Sequence, residues 1–367
     1  MDRWNIGIAG CGNIAGGYGG CLEKHPDELR IAGCYDPIAE KMSEFASRFA
    51  CRTYDDLDQM LNDDDIDLVI NLTVHTVHAE VTRKALQANK HVHSEKPLAS
   101  NRADARDVVD LAAVKELRLG FSPFIILGEA QQTLWKQIRD GRIGKPLVAY
   151  AEMNWGRIER WHPDPAGFYG KGAGPLLDVG CYPLNVLTSI LGPVVAVTGS
   201  AGVLLPYRTV GSGPHAGQTF TPTLPDHAVG SLEFESGVLG RLTCSFLVGP
   251  SRQVGIEIHG ESGALTIDGV GFSSPVQFAA CGAQEWVDVP LLAQPVTTGV
   301  DWSRGIREIK QALEQGRPHR CTGEQAYHIL DVCLSIIESA EQGRKVSVDS
   351  RFDLPAPTIW KADSVLP

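Results

Sequence analysis

The sequence predicts an α/β protein: a doubly wound parallel sheet at the N-terminus, then an α+β domain built on an open, mainly antiparallel sheet. Three observations carry this. Short apolar runs alternate with longer helical patterns over about the first 120 residues, the rhythm of parallel strands joined by right-handed crossovers. From about Phe124 that rhythm stops, and strand patterns follow one another with hairpin punctuation. The length, 367 residues, also exceeds what a single hydrophobic core usually supports.

The elements follow in order. NIGIAG, LRIAGCYD, DLVINLTV, KHVHSEKP and LRLGFSPF read as strands, and EKMSEFASRF, YDDLDQMLN, HAEVTRKALQAN and ADARDVVDLAAVKE read as the helices between them. In the second part, GEAQQTLWKQIRDG predicts a helix and LVAYAEMNW a strand. An aromatic, Pro- and Gly-rich stretch runs from Gly156 to Pro175, and a helical pattern then reaches Leu191. SLEFESGVLGRLTCSF turns at Glu235 to Gly237, and VGIEIHGESGALTID turns at Gly260 to Gly263, so both predict antiparallel hairpins. Residues 211–227 read as a loop. Thr322 with Gln325 forms a capping box, ahead of an apolar stripe of Ala326, Ile329, Leu330, Cys333, Ile336, Ile337 and Ala340. The expected domains are residues 1–123 and 124–349, followed by a tail over 350–367.

Composition excludes some partners. With 43% hydrophobic and 21% charged residues the chain has material for a real core, and a formal charge of −11 opposes binding to nucleic acid. No run reaches the roughly 18 apolar residues of a membrane span, so no membrane is expected. MDRWNIGIAG shows no basic-then-apolar leader pattern. The nine scattered cysteines, never spaced as CxxC, fit reduced thiols in a cytoplasm better than disulfides or a zinc site. His91 and His93 would share a strand face, but buried or hydrogen-bonded histidines are far commoner than ligands, and no metal is expected.

Three motifs carry chemistry. The first is GCGNIA. Gly10 permits a tight turn, Gly12 lets backbone N–H groups approach a pyrophosphate, and Ala15 lets the following helix pack on its strand, with Asn13 and Ile14 at the helix start. Asp36, at the end of the second strand, can accept hydrogen bonds from the adenosine ribose, although alone it also fits a cap before Pro37. The two together predict a Rossmann fold with a bound dinucleotide. A carboxylate there repels a 2′-phosphate, which favours NAD over NADP. GGYGG (16–20) is unexpected, because each glycine weakens a helix by roughly 1 kcal/mol relative to alanine.

The second motif is SEKP. Glu95, Lys96 and Pro97 follow a strand at the carboxyl edge of the sheet, where α/β sheets bind ligands. There Lys96 can donate to a substrate hydroxyl, or Glu95 and Lys96 can be a solvated surface pair. The third is GAGPLLDVGCYPLN. Asp178 and Tyr182, four apart, share a helix face and with an ammonium would make a proton-handling set; alternatively Asp178 is a cap and Tyr182 core. Pro183 is comfortable only in a first helical turn. Trp161 and His162 in WHPDP are candidates for substrate contact or for aromatic packing under a loop. Thr73 and His78, after the strand DLVIN, could border the cofactor, though a helix-start histidine reads as well.

GCGNIA, CYD, NLTV followed by His78, SEKPLA, the GRIGKP turn and DVGCY together resemble the Gfo/Idh/MocA oxidoreductases, the glucose-fructose oxidoreductase and inositol dehydrogenase group, over nearly the whole chain. The resemblance implies oxidation or reduction of a sugar, polyol or cyclitol hydroxyl with NAD, and an open sheet forming a homodimer or homotetramer interface. It implies that Lys96, Asp178 and Tyr182 are catalytic. Gly10, Gly12, Asn13, Ile14, Asp36, Thr73, His78, Glu95 and Lys96 would border the cofactor, and Trp161 and His162 the substrate. Tyr182 stands where inositol dehydrogenase-like members have histidine. A phenol with pKa near 10 needs about 4 kcal/mol to act as a base near neutrality, which an ammonium about 4 Å away supplies at an effective dielectric near 20. Two rival readings are a glycoside hydrolase with permanently bound NAD and a non-catalytic NAD- and sugar-binding regulator.

Overall fold

A computed structural model describes residues 3–295, 297 and 299–358. The chain divides into two compact units: residues up to Phe124 together with Asp301–Tyr327, and Ile125–Val300 together with His328 onward. The first division falls after Phe124. The return of 301–327 to the first unit is a feature that a single boundary does not contain. Of the expected tail, 350–358 belong with the second unit, and 359–367 lie outside the described residues.

In the first unit the strands are β1 (Trp4–Ala9), β2 (Leu29–Tyr35), β3 (Arg52–Thr53), β4 (Leu68–Asn71), β5 (His91–Ser94) and β6 (Leu119–Phe121). They pair in parallel in the order β3-β2-β1-β4-β5-β6. This is the doubly wound order, with its switch point between β1 and β4. Helices α1 (Ala15–Leu22), α2 (Ala39–Phe49), α3 (Leu57–Leu61), α4 (His78–Gln87) and α5 (Arg102–Val114) are the crossovers. Near-continuous apolar strands follow from burial on both faces: Ile6, Ile8, Leu68 and Ile70 pack with Phe45 and Phe49 of α2, and with Ile306 and Ile309 of the returning helix Arg304–Glu314. Asn101 caps α5 by accepting from the Asp104 N–H at 2.9 Å.

The second unit holds α6 (Glu129–Arg139), β7 (Pro146–Asn154), α7 (Cys181–Leu191), β8 (Val194–Gly202), β9 (Arg208–Thr209), β10 (Thr219–Phe220), β11 (His227–Phe234), β12 (Leu239–Ser245), β13 (Gly255–Gly260), β14 (Gly263–Ile267), β15 (Val276–Ala280), β16 (Val287–Asp288) and β17 (Val346–Ser347). Nine of these strands form a sheet in the order β16-β15-β14-β13-β7-β12-β11-β8-β17. Every neighbour is antiparallel except β7 with β12, which are parallel. Both expected hairpins are present as β11–β12 and β13–β14. Residues alternate along these strands: Ala149, Ala151, Leu242 and Cys244 are buried, while Tyr150 and Leu239 are exposed on the other face. The 211–227 segment is not all loop, since Thr219 and Phe220 pair with Thr209 and Arg208 in a short ribbon.

Candidate active site

In the first unit, the loops after β1, β2, β4 and β5 all lie at the carboxyl edge of the sheet. Gly10 ends β1 at φ +96°, and a Cβ there would come within 2.6 Å of the Leu72 carbonyl oxygen after β4. Only glycine lets the two loops meet so closely. Around Gly12 the space is open, since a Cβ would meet nothing within 4 Å. Asn13 and Ile14 are exposed, and no side chain caps the start of α1. An open glycine turn in front of an uncapped helix start is the cradle a pyrophosphate needs, so these residues fit a dinucleotide.

Asp36 stands after β2, nearly buried. One oxygen accepts the Cys11 N–H at 2.7 Å and the other the Ile38 N–H at 2.8 Å. The carboxylate thus ties the glycine turn to the end of β2, and each oxygen keeps a further lone pair for a ribose hydroxyl. It is also the cap before Pro37 that its position allowed. Thr73 follows β4 half-buried, with its hydroxyl donating to Asn71 Oδ1 at 2.6 Å. The Asn71 amide donates to the His78 carbonyl and to Thr82 Oγ1, at 2.9 and 3.1 Å.

Two expected cofactor residues are turned inward. His78 is 2% exposed, with Nδ1 2.7 Å from the Pro97 carbonyl and Nε2 2.9 Å from the Thr73 carbonyl. Burial holds its pKa below the ordinary value against the pull of these carbonyls. Its ring lies between the loops after β4 and β5. Glu95 is 8% exposed; Oε1 accepts the Tyr18 hydroxyl at 2.8 Å and Oε2 the Lys96 N–H at 3.1 Å. Lys96 itself is half-buried at the edge, and its peptide bond to Pro97 is cis. His91 accepts the Arg118 N–H at 3.0 Å and stacks on Trp4, whereas His93 is buried with Tyr18 and Phe124. A hollow of about 590 Å³ in this unit borders the starts of β1 and β2 at Arg3, Pro26 and Leu29, away from these loops.

In the second unit, Asp178 and Tyr182 are both half-buried among buried Leu177, Val179, Cys181 and Leu184. They do not sit on one regular helix. Asp178 lies in a π-turn, Leu176–Gly180, and Tyr182 is the second residue of α7. The wider turn moves Pro183 into the first turn of α7, where its missing N–H costs nothing.

Trp161 is 53% exposed, and His162 beside it accepts the Asp164 N–H at Nδ1 and meets Phe168 edge-on at 4.9 Å. The segment carrying them is anchored by a buried group that nothing in the sequence pattern announces. Arg208, fully buried, donates to both oxygens of Glu159 at 2.9 Å and to Asp226 at 2.7 Å, and lies over the Tyr169 ring. Tyr169 donates to Glu159 at 2.6 Å; burial and then that hydrogen bond push its phenol well above the ordinary value. Among the described residues no group of three or more His, Cys, Asp or Glu side chains could hold a metal ion.

Comparison with known proteins agrees with this layout. Residues 4–122 match the family described as "Oxidoreductase family, NAD-binding Rossmann fold", and residues 131–266 match the "GFO/IDH/MocA C-terminal domain". The 1,5-anhydro-D-fructose reductase of Ensifer adhaerens is 25% identical over 95% of this chain and 99% of its own length. A dTDP-3,4-didehydro-2,6-dideoxy-alpha-D-glucose 3-reductase of Streptomyces antibioticus is 30% identical over 67% of this chain and 77% of its own. Among solved structures, levoglucosan dehydrogenase in complex with NADH and L-sorbose shares the fold with a TM-score of 0.81 at 20% identity, covering 95% of this chain and 99% of that one. A glycine turn, an acidic end to β2, an SEKP turn after β5 and matches to both family domains leave one assignment: the chain belongs to the Gfo/Idh/MocA family of NAD(P)-dependent oxidoreductases, and its first unit is the family's NAD-binding Rossmann domain.

Proposed function

We propose that this enzyme is a dehydrogenase for a secondary alcohol of a sugar, polyol or cyclitol, and that Lys96, Asp178 and Tyr182 handle the proton. The observation that carries the reading is the Lys96 turn: it stands at the carboxyl edge of a doubly wound sheet, with its backbone pinned through Glu95 and the Pro97 carbonyl pinned through His78. NAD, when bound, supplies the hydride acceptor. Lys96 donates a hydrogen bond to the reacting oxygen and stabilises the charge that develops there. Tyr182 takes the hydroxyl proton, and Asp178 orients the group that receives it. Trp161 offers an exposed indole face against which a sugar ring can stack. The names of similar proteins, among them a D-xylose dehydrogenase and an inositol 2-dehydrogenase, support a polyhydroxylated substrate.

Asp36 supports a preference for NAD over NADP, because a 2′-phosphate would meet an ionised carboxylate. Nine free thiols support a reducing, cytoplasmic setting, and no described helix is long and apolar enough to cross a membrane. The exposed sheet face with Tyr150 and Leu239 supports a homodimer or homotetramer, which light scattering would count. The test of the function is an assay of aldoses, polyols and cyclitols for formation of reduced nicotinamide. The expected outcome is net NADH formation with at least one of them; no turnover with any, in either direction, would refute it.

A further inference from the structure

GGYGG, which weakens α1 with four glycines, has no part in the chemistry so far. In the structure its centre is Tyr18, fully buried, and its glycines are contact points. A Cβ on Gly19 would lie 2.4 Å from the Phe49 ring, and one on Gly17 would lie 3.3 Å from Trp302. Without side chains at those positions α1 sinks against both, and the Tyr18 ring packs on Trp302 with centroids 5.1 Å apart. Nothing in the structure explains Gly20.

The depth of Tyr18 places its hydroxyl within the SEKP turn. That hydroxyl lies 2.8 Å from Glu95 Oε1 and 3.4 Å from His93 Nε2. Glu95 Oε2 accepts the Lys96 N–H at 3.1 Å, and the Glu95 N–H donates to the Asn71 carbonyl at 2.9 Å. The direction of the chain is set at His93. Burial depresses its pKa to about 3, so the ring is neutral, and Nδ1 is buried with no partner. The one ring proton therefore sits on Nε2 and is given to the Tyr18 oxygen, which leaves the phenol proton for Glu95.

We infer that Tyr18 is a positioning residue for Lys96, acting through the Glu95 carboxylate. This rests on the role proposed for Lys96. The hydroxyl fixes the rotamer of Glu95, whose other oxygen fixes the backbone from which the amine projects; remove the hydroxyl and Glu95 can turn, releasing the Lys96 N–H. A packing role for the ring is separate, because phenylalanine keeps the ring.

The experiment compares Tyr18→Phe, Glu95→Gln and the double variant on the full chain. Tyr18→Phe is expected to lower kcat about tenfold while KM for NAD stays within about twofold. The double variant is expected to be no slower than Glu95→Gln alone, because both substitutions break one linkage. A second readout needs no turnover: the acylation rate of Lys96 by acetic anhydride, followed by peptide mass and referred to Lys84 and Lys115. That ratio is expected to change at least about threefold in Tyr18→Phe. Wild-type kcat and an unchanged labelling ratio in Tyr18→Phe, or effects of the two substitutions that multiply in full, would overturn the inference. An inactive wild type would instead defeat the dehydrogenase reading, and the labelling ratio would still decide the role of Tyr18.

Discussion

In the first unit the loops that carry candidate site residues are fixed by close backbone approach and by hydrogen bonds centred on buried polar groups, as at Gly10, Asp36 and His78. The second unit fixes the segment bearing Trp161 and His162 with a fully buried arginine between two carboxylates. The first device is rigid by sterics and tolerates little change of shape. The second is held by charge, so it tolerates shape changes but not the loss of a partner, because the remaining ions would be buried alone.

The largest expected effect breaks the second device. Arg208→Met leaves Glu159 and Asp226 without their cation and is expected to cost 3–5 kcal/mol, by analogy with buried pairs of about that magnitude. Denaturant unfolding followed by tryptophan fluorescence would measure it, and a loss below about 1 kcal/mol would mean that the cluster is solvated. Next is Gly10→Ala, which combines strain at φ +96° with a Cβ 2.6 Å from a carbonyl oxygen. It is expected to cost about 1–3 kcal/mol and to raise the Kd for NAD about tenfold or more, measured by calorimetry.

Acidification discriminates more finely. His93 and His328 are buried, and desolvation lowers their pKa values to about 3 and about 4 from an ordinary value near 6.5. A depressed folded-state value means that the unfolded chain takes up the proton first. The stability they contribute is therefore complete above about pH 6.5 and is lost as the pH falls towards 4 and 3, at about 1.4 kcal/mol per pH unit for each group. Melting profiles between pH 7.5 and 5 should show this slope, to which the likewise depressed His25, His78, His91 and His319 add, and His93→Leu should remove one histidine's share of it, about 1.4 kcal/mol per pH unit. The smallest effect is at Tyr169. Tyr169→Phe removes one donor to Glu159 while Arg208 remains, at about 1 kcal/mol in the same unfolding measurement.

The parallel sheet was legible because its strands are short apolar runs between amphipathic helices, and the cradle because Gly10, Gly12 and Asp36 fall at the ends of β1 and β2. The two-residue β3 left no periodic signal. The returning helix Arg304–Glu314 places Ile306 and Ile309 in the first unit's core, but local spacing cannot say which core a stripe joins. The parallel pairing of β7 with β12 is equally non-local: the two strands are about 90 residues apart, and neither carries a mark of the other. Asp178 and Tyr182 were legible as residues but not in their register, because a π-turn adds a residue that the helical period does not foresee. Arg208 was invisible for a related reason: its partners lie 49 and 18 residues away, in segments without periodicity.

One measurement tests the central claim most directly: initial rates of NADH formation for the wild type and Lys96→Ala, with the best alcohol from the substrate panel and with products analysed in parallel. The account predicts net reduction of NAD with one equivalent of oxidised sugar, polyol or cyclitol, and a fall in kcat of about 10³-fold in Lys96→Ala with NAD at saturation. Full activity in Lys96→Ala, or a free sugar released from a glycoside without net NADH, would contradict it.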